Sequence, residues 1–291
     1  MKLNKNSDTK ILIVGLGLLG GSYARALKKK GYTVYAIEPK NASVQYALEQ
    51  GIIDRGSTRI EEGFVREADI TVFALYPHVF LDWVRENCHL FSPGAILTDV
   101  TGVKQSVVYQ VQAMLPEGVE YIAAHPMAGK EVGGVENSDD AIFQGANYIV
   151  VPTEKNTHDG VETCKELGRE LGFSSVSVLT PEKHDEMIAF LSQLTHCIAV
   201  SLMCAGDDTG LVHYTGDSFR DLTRIARIQE DLWSELFLLN KEALLTQMEK
   251  FQNTFSSLTR AIREEDVGAM KEMMRLSTAR RGLFDRKGDQ K

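Results

Sequence analysis

The pattern of apolar and polar positions changes character part-way along the chain. From residue 10 to about 178, short apolar runs rich in β-branched residues alternate with amphipathic stretches. The runs at 10–14, 33–37, 70–75, 95–100, 121–124, 148–151 and 175–179 read as strands, and those at 42–50, 79–87, 104–114 and 159–171 read as helices. Such alternation predicts a doubly wound parallel sheet with helices on both faces. After Leu179 the strand signal stops. Thr180-Pro181-Glu182 opens a helix with proline in its first turn, and nearly everything up to Phe284 keeps a helical period. Phe237, Leu244, Phe251 and Leu258 recur every seven residues, with Met248, Phe255 and Ile262 four positions after the last three. This heptad-like seam calls for a partner and predicts a dimer interface. The expected organisation is an α/β Rossmann-type domain over residues 1–179 and an all-α domain over 180–291.

The first strand carries the most specific signal. Residues 10–14 run into Gly15-Leu16-Gly17-Leu18-Leu19-Gly20 and then into a good helix sequence, and the second strand ends on Glu38. Strand, glycines, helix, strand and acid in that order form the dinucleotide fingerprint. Gly15 permits the tight turn, Gly17 lets the backbone approach a pyrophosphate, and Gly20 lets helix pack on strand. Leu18 and Leu19 open the helix whose N-terminus receives the anion. Glu38 is expected to accept hydrogen bonds from the ribose hydroxyls and to repel a 2′-phosphate, favouring NAD; Lys40, two residues on, is a weak counter-signal.

Charge narrows the partners. A net charge of −8 argues against nucleic acid and anionic membranes, which demand a cationic face. The N-terminal ten residues are polar, unlike a secretory signal, and no apolar run is expected to reach the length of a bilayer span. Cys88, Cys164, Cys197 and Cys204 show no metal-ligand spacing, so reduced thiols in a cytoplasmic protein are expected and no metal site.

Four clusters can carry chemistry. Asp99, Thr101, Gly102 and Lys104 stand where a strand gives way to a helix, facing the expected cofactor crevice. His125 ends the next strand and leads into Pro126-Met127-Ala128-Gly129-Lys130-Glu131; a histidine suits an alcohol proton near neutrality. His184-Asp185 and Gln193-Leu194-Thr195-His196 open the helical domain. The two histidines are twelve apart, a poor match to one helical face, and by itself His196 reads as a core histidine bonded to a carbonyl. Lastly, Arg220, Arg224 and Arg227 fall at i, i+4 and i+7, a cationic stripe suited to carboxylates, although ion pairs with nearby acids are the commoner fate of such residues.

Together these segments resemble the prephenate/arogenate dehydrogenase family of tyrosine biosynthesis, over almost the whole chain. The most specific pieces are His125 to Glu131, the run Phe219-Arg220-Asp221-Leu222-Thr223-Arg224-Ile225-Ala226, and Trp233. The resemblance implies NAD-dependent oxidative decarboxylation of prephenate to 4-hydroxyphenylpyruvate, or of arogenate to tyrosine, by a homodimer. It implies that His125 accepts the proton of the ring hydroxyl and that Arg224 binds a substrate carboxylate. His196 would contact the substrate side chain, Glu131 and Asp221 would organise the site, and Trp233 would reach it near the dimer interface. A β-hydroxyacid-type dehydrogenase and a non-catalytic NAD-binding dimer stand as alternatives; the arginine-rich segment argues against the former, which relies on a lysine.

The chain departs from the family pattern in places. Glycine at 102 replaces a common serine, with Thr101 beside it as a possible stand-in. Gln193 replaces a histidine and Thr195 a proline, and Asp217 adds an acid beside the carboxylate-binding segment, which could favour an amino over a keto substrate. Because the chain ends soon after its helical part, no regulatory domain is expected to follow, and any tyrosine feedback is expected at the active site.

Overall fold

The computed structural model describes residues 9–130 and 132–284. These fall into two compact units, one ending at Lys241 and the other starting at Glu242. In the first unit, β1 (Lys10–Val14), β2 (Thr33–Ile37), β3 (Arg55–Ser57), β4 (Ile70–Phe73), β5 (Ile96–Asp99) and β6 (Glu120–Tyr121) form a parallel sheet in the order β3-β2-β1-β4-β5-β6. Helices α1 (Leu18–Lys29), α2 (Asn41–Glu49), α3 (Glu62–Glu67), α4 (Pro77–Asn87) and α5 (Gln105–Met114) join these strands. Two hydrophobic layers sandwich the sheet. That is why β1 and β4 read as unbroken apolar runs rather than alternating ones. The strand order reverses between β1 and β4, so the crevice opens above their carboxyl ends.

The expected single sheet is in fact two. β7 (Ala123–Pro126), β8 (Asn147–Val151) and β9 (Ser175–Val178) make a separate three-stranded sheet, with β7 antiparallel to β8 and β8 parallel to β9. The run expected as one strand at 121–124 divides at Ile122. Its N–H still donates to the Leu97 carbonyl at 2.9 Å. Two residues on, the Ala124 N–H donates to the Asp99 carboxylate at 3.1 Å, so a side chain takes over from the ladder. β3, the sequence Arg-Gly-Ser, has no apolar signature and went unpredicted.

After α6 (His158–Leu171), a long helix follows β9. It comprises α7 (Pro181–Ile188), a π turn at Ala189–Gln193 and α8 (Leu194–Cys204). Thr180 caps it by accepting the Lys183 N–H. The stretch Pro181–Cys204 has 24 residues and a mean hydropathy of 1.7 at its most apolar, long and apolar enough to cross a membrane. This corrects the expectation that no run reaches that length. The same helix carries His184, Asp185 and Gln193, all buried and hydrogen-bonded to protein partners. The bonds of His184 and Asp185 tie it to the α/β part, and that of Gln193 ties it to Leu236 in a later helix.

α9 (Asp217–Thr223) and α10 (Glu230–Leu239) complete the first unit, and α11 (Lys241–Arg263) with α12 (Val267–Gly282) form the second. The heptad seam is shorter than expected. Phe237 lies on α10, and Asn240 leaves helical geometry before α11 begins. From Leu244 to Ile262 the seam occupies one helix, where Phe251, Phe255 and Ile262 are exposed, the last two by 60% and 58%.

Candidate active site

The glycine loop between β1 and α1 has the shape that a dinucleotide requires. Gly15 adopts φ +96°, and a Cβ there would lie 2.5 Å from the Ala74 carbonyl oxygen. A Cβ on Gly20 would lie 1.9 Å from the Gly15 oxygen, so this glycine is what allows α1 to approach β1. Gly17 faces open space, with nothing within 4 Å of an added Cβ. Leu18 and Leu19 form the first turn of α1, which has neither a capping side chain nor an acid. An anion is the natural complement of such a terminus. Glu38 accepts the Leu16 N–H and the Lys40 N–H, each at 2.9 Å, one on each carboxylate oxygen. It therefore braces the loop while each oxygen keeps a lone pair. Beside it lies a cleft of about 250 Å³ whose lining includes Ile37, Pro39, Arg59, Ile60 and Val79, a suitable seat for a flat ring.

Asp99 corrects an expectation: it does not reach the crevice. It is fully buried. One oxygen accepts from Tyr121 Oη at 2.8 Å and from the Ala124 N–H; the other accepts from the Thr101 N–H at 2.9 Å, from the Thr101 hydroxyl and from Lys104 Nζ at 2.7 Å. Lys104 Nζ also donates to the Ala124 carbonyl at 2.7 Å. Burial pulls the Lys104 pKa down while Asp99 pulls it up. This buried pair pins the end of β7, and hence the residue after Ala124, which is His125. The Thr101 hydroxyl is committed to Asp99 and to the Val103 carbonyl, so it does not replace the serine absent at Gly102. A side chain at 102 would start 3.4 Å from Leu236.

His125 sits half-buried at the end of β7 and is linked to an acid through a second histidine. Its Nδ1 lies 2.9 Å from His184 Nε2, and His184 Nδ1 lies 2.7 Å from Asp185 Oδ1. Asp185 in turn accepts the backbone N–H groups of Lys104 and Gln105, each at 2.9 Å, at the start of α5. The protons follow from this order. An ionised Asp185 makes His184 Nδ1 a donor, which leaves His184 Nε2 as an acceptor, and His125 Nδ1 donates to it. The lone pair of His125 therefore lies on Nε2. Burial, reinforced by His184 and Lys104, holds the His125 pKa well below the usual histidine value. Burial also lowers that of His184, against the opposing pull of Asp185.

A larger cleft of about 740 Å³ is lined by Lys130, Met203, Thr223, Arg224 and Arg227, among others. The arginine stripe is not one helical face. α9 stops at Thr223, a 3₁₀ turn follows, and Arg227 is extended. Arg220 instead pairs with Asp217 at 3.4 Å, while Arg224 and Arg227 face the cleft. Asp221 is exposed on α9. Glu131 lies outside the described residues. His196 and Trp233, far apart in sequence, come together with ring centroids 3.7 Å apart. His196 Nδ1 also lies 2.9 Å from the Ser192 carbonyl oxygen, so the stacked pair and the carbonyl-bonded histidine are one arrangement.

The nucleotide-binding domain of prephenate dehydrogenase matches residues 23–178, and the dimerization domain of prephenate dehydrogenase matches residues 180–276. The chain belongs to the prephenate dehydrogenase family. It is 30% identical to the prephenate dehydrogenase of Bacillus subtilis over 272 residues, 91% of this chain and 72% of that one. It is 29% identical to the cyclohexadienyl dehydrogenase of Zymomonas mobilis, covering 88% of this chain and 89% of the relative. Prephenate dehydrogenase from A. aeolicus, solved with hydroxyphenyl propionate and NAD+, superposes with a TM-score of 0.88 at 29% identity, covering 97% of this chain and 100% of that one.

Sequence reasoning noticed His184-Asp185 but gave the pair no role, and it overlooked the clasp behind them. Asn240 donates to the Asp185 carbonyl at 2.9 Å and to Gln193 Oε1 at 2.8 Å, and Gln193 Nε2 donates to the Leu236 carbonyl at 2.9 Å. Gln193, a departure from the family pattern, is thus a buried structural link. The signal that could have found it is a polar residue on an otherwise apolar helix, which must find partners.

Proposed function

We propose that this chain catalyses the NAD-dependent oxidative decarboxylation of prephenate to 4-hydroxyphenylpyruvate. The observation that carries this reading is the His125–His184–Asp185 chain at the carboxyl end of the α/β part, within a family whose reaction oxidises a ring alcohol. The glycine loop, the open face of Gly17 and Glu38 fit NAD, which supplies the hydride acceptor when bound. His125 Nε2 accepts the hydroxyl proton as the carbinol carbon gives up hydride. The bond to the ring carboxylate then breaks, its electron pair enters the ring, carbon dioxide leaves, and the proton returns to the phenolic oxygen. Asp185, through His184, steadies the positive charge that His125 holds in between. Arg224 grips a substrate carboxylate, and the His196–Trp233 stack flanks the side chain, with Asp221 and Glu131 ordering the surroundings.

In this reading residues 1–179 serve the nucleotide and 180–291 serve substrate contacts and dimer formation, a division supported by the matches to the nucleotide-binding domain over 23–178 and the dimerization domain over 180–276. The exposed Phe251, Phe255 and Ile262 on α11 support a homodimer through the helical part, in the cytoplasm where NAD is available. Product analysis tests the reaction: prephenate and NAD should give carbon dioxide and reduced cofactor in equal amounts, and reduced cofactor without carbon dioxide would contradict it.

A further inference from the structure

We infer that Glu235, on α10, is a positioning residue for the nucleotide: it grips the first turn of α4 and holds one wall of the cleft beside the glycine loop. The inference rests on the nucleotide half of the reading above, not on the reaction. α4 begins with Pro77 and has no capping side chain of its own. Proline has no N–H, so the first backbone donor of the helix is that of His78. Glu235 Oε1 accepts this N–H at 2.7 Å, across 157 residues of sequence, and Glu235 Oε2 lies 2.7 Å from the His78 ring Nδ1. A carboxylate placed there satisfies an open donor and complements the helix dipole.

Both sides of this clasp are anchored. The helix that presents Glu235 is fixed at the next residue, where the Leu236 carbonyl accepts Gln193 Nε2, and at its end, where Asn240 donates to the Asp185 carbonyl. Leu236 is buried in the same apolar layer as Phe80 and Val84 of α4. On the other side, Leu75 and Val79 flank the gripped turn, and both line the cleft together with Gly15 and Ile37. Leu75 Cδ2 comes within 3.0 Å of where a Cβ on Gly15 would stand, so this segment bears directly on the glycine loop. The two bonds differ in weight. The His78 side chain is 62% exposed and that of Glu235 only 18%. An exposed ion pair holds little, whereas the bond to the backbone fixes the turn itself. A cleft wall fixed before the ligand arrives spares the cost of ordering it on binding.

Calorimetric titration with NAD, alongside steady-state kinetics, tests the clasp. Glu235→Ala should raise Kd and KM for NAD by about threefold to tenfold, the factor that one lost hydrogen bond of this kind sets. Its kcat and its KM for prephenate should stay near those of the unaltered chain. Glu235→Gln keeps an oxygen that accepts the His78 N–H and should restore most of the NAD affinity. His78→Ala keeps the backbone bond, so it should show a smaller but measurable loss, and adding it to Glu235→Ala should cost nothing further. An unchanged Kd for NAD in Glu235→Ala would overturn the inference, as would a loss that fell on kcat or on prephenate instead. If Glu235→Ala does not fold, His78→Ala decides, and an unchanged Kd for NAD there overturns it equally. Weakened NAD binding in these variants of a chain that never turns over prephenate would support the clasp and count against the proposed reaction.

Discussion

The Nδ1 of His125 lies 2.9 Å from Nε2 of His184, and that contact decides which nitrogen of His125 is left free to accept a proton. Without it the imidazole could turn either edge to the crevice. With it, and with Asp185 behind, the free lone pair is fixed on Nε2. Replacing Asp185 with Asn should therefore lower kcat by roughly tenfold or more with little change in KM, since general-base catalysis contributes about 10²–10⁴-fold and here depends on the tautomer. Steady-state kinetics check this; a rise in KM at constant kcat would place Asp185 in binding instead.

The same chain sets a pH dependence. His125 and His184 both have their pKa lowered by burial, whereas unfolded histidines titrate near about 6.5. The unfolded state thus binds more protons below that pH, so stability is fully present above about 6.5 and is lost as pH falls through it. Thermal unfolding between mildly acidic and neutral pH should show this loss, and His184→Gln should flatten it. The acid limb of kcat/KM should lie below the ordinary histidine pKa for the same reason.

Two glycines of one loop should respond in opposite ways. Gly17→Ala meets no atom within 4 Å, while Gly20→Ala drives a methyl to 1.9 Å from the Gly15 oxygen. Gly17→Ala should leave the melting temperature unchanged and raise KM for NAD, because the methyl occupies the face the pyrophosphate approaches. Gly20→Ala should lower the melting temperature by several degrees. Equal melting temperatures would mean that α1 is less tightly placed than its contact with β1 implies.

The alternation of strands and helices, the glycine loop and the lone position of His125 were legible because each rests on local rules of period and turn. The relay was not, because His125 and His184 are 59 residues apart in sequence and only the tertiary fold brings their rings together. The π turn at Ala189–Gln193 was hidden too, since no propensity in Ala-Phe-Leu-Ser-Gln announces it. The division of the sheet at Ile122 was hidden similarly, because it depends on a carboxylate at residue 99 replacing a backbone acceptor. Asp99 itself was misread as facing the crevice, since a strand-end acid looks the same from sequence whether it points outward or is held inward by Lys104.

Assembly gives a further test. Phe255→Glu and Ile262→Glu together should convert a dimer into a monomer by light scattering, because both side chains stand exposed on α11 and each would place a charge in an apolar seam. A monomeric mass for the unaltered chain at micromolar concentration would contradict the proposed homodimer.

The central claim is that His125 is the base for oxidation of the ring hydroxyl while Arg224 holds a carboxylate. The most direct measurement follows reduced nicotinamide by absorbance with prephenate and NAD, comparing the unaltered chain with His125→Asn and Arg224→Ala. The account predicts turnover by the unaltered chain and a kcat reduced by about 10²–10⁴-fold in His125→Asn at similar KM. In Arg224→Ala the loss should fall mainly on KM, because a carboxylate grip acts in the ground state too. Full kcat in His125→Asn, or no turnover by the unaltered chain, would contradict it.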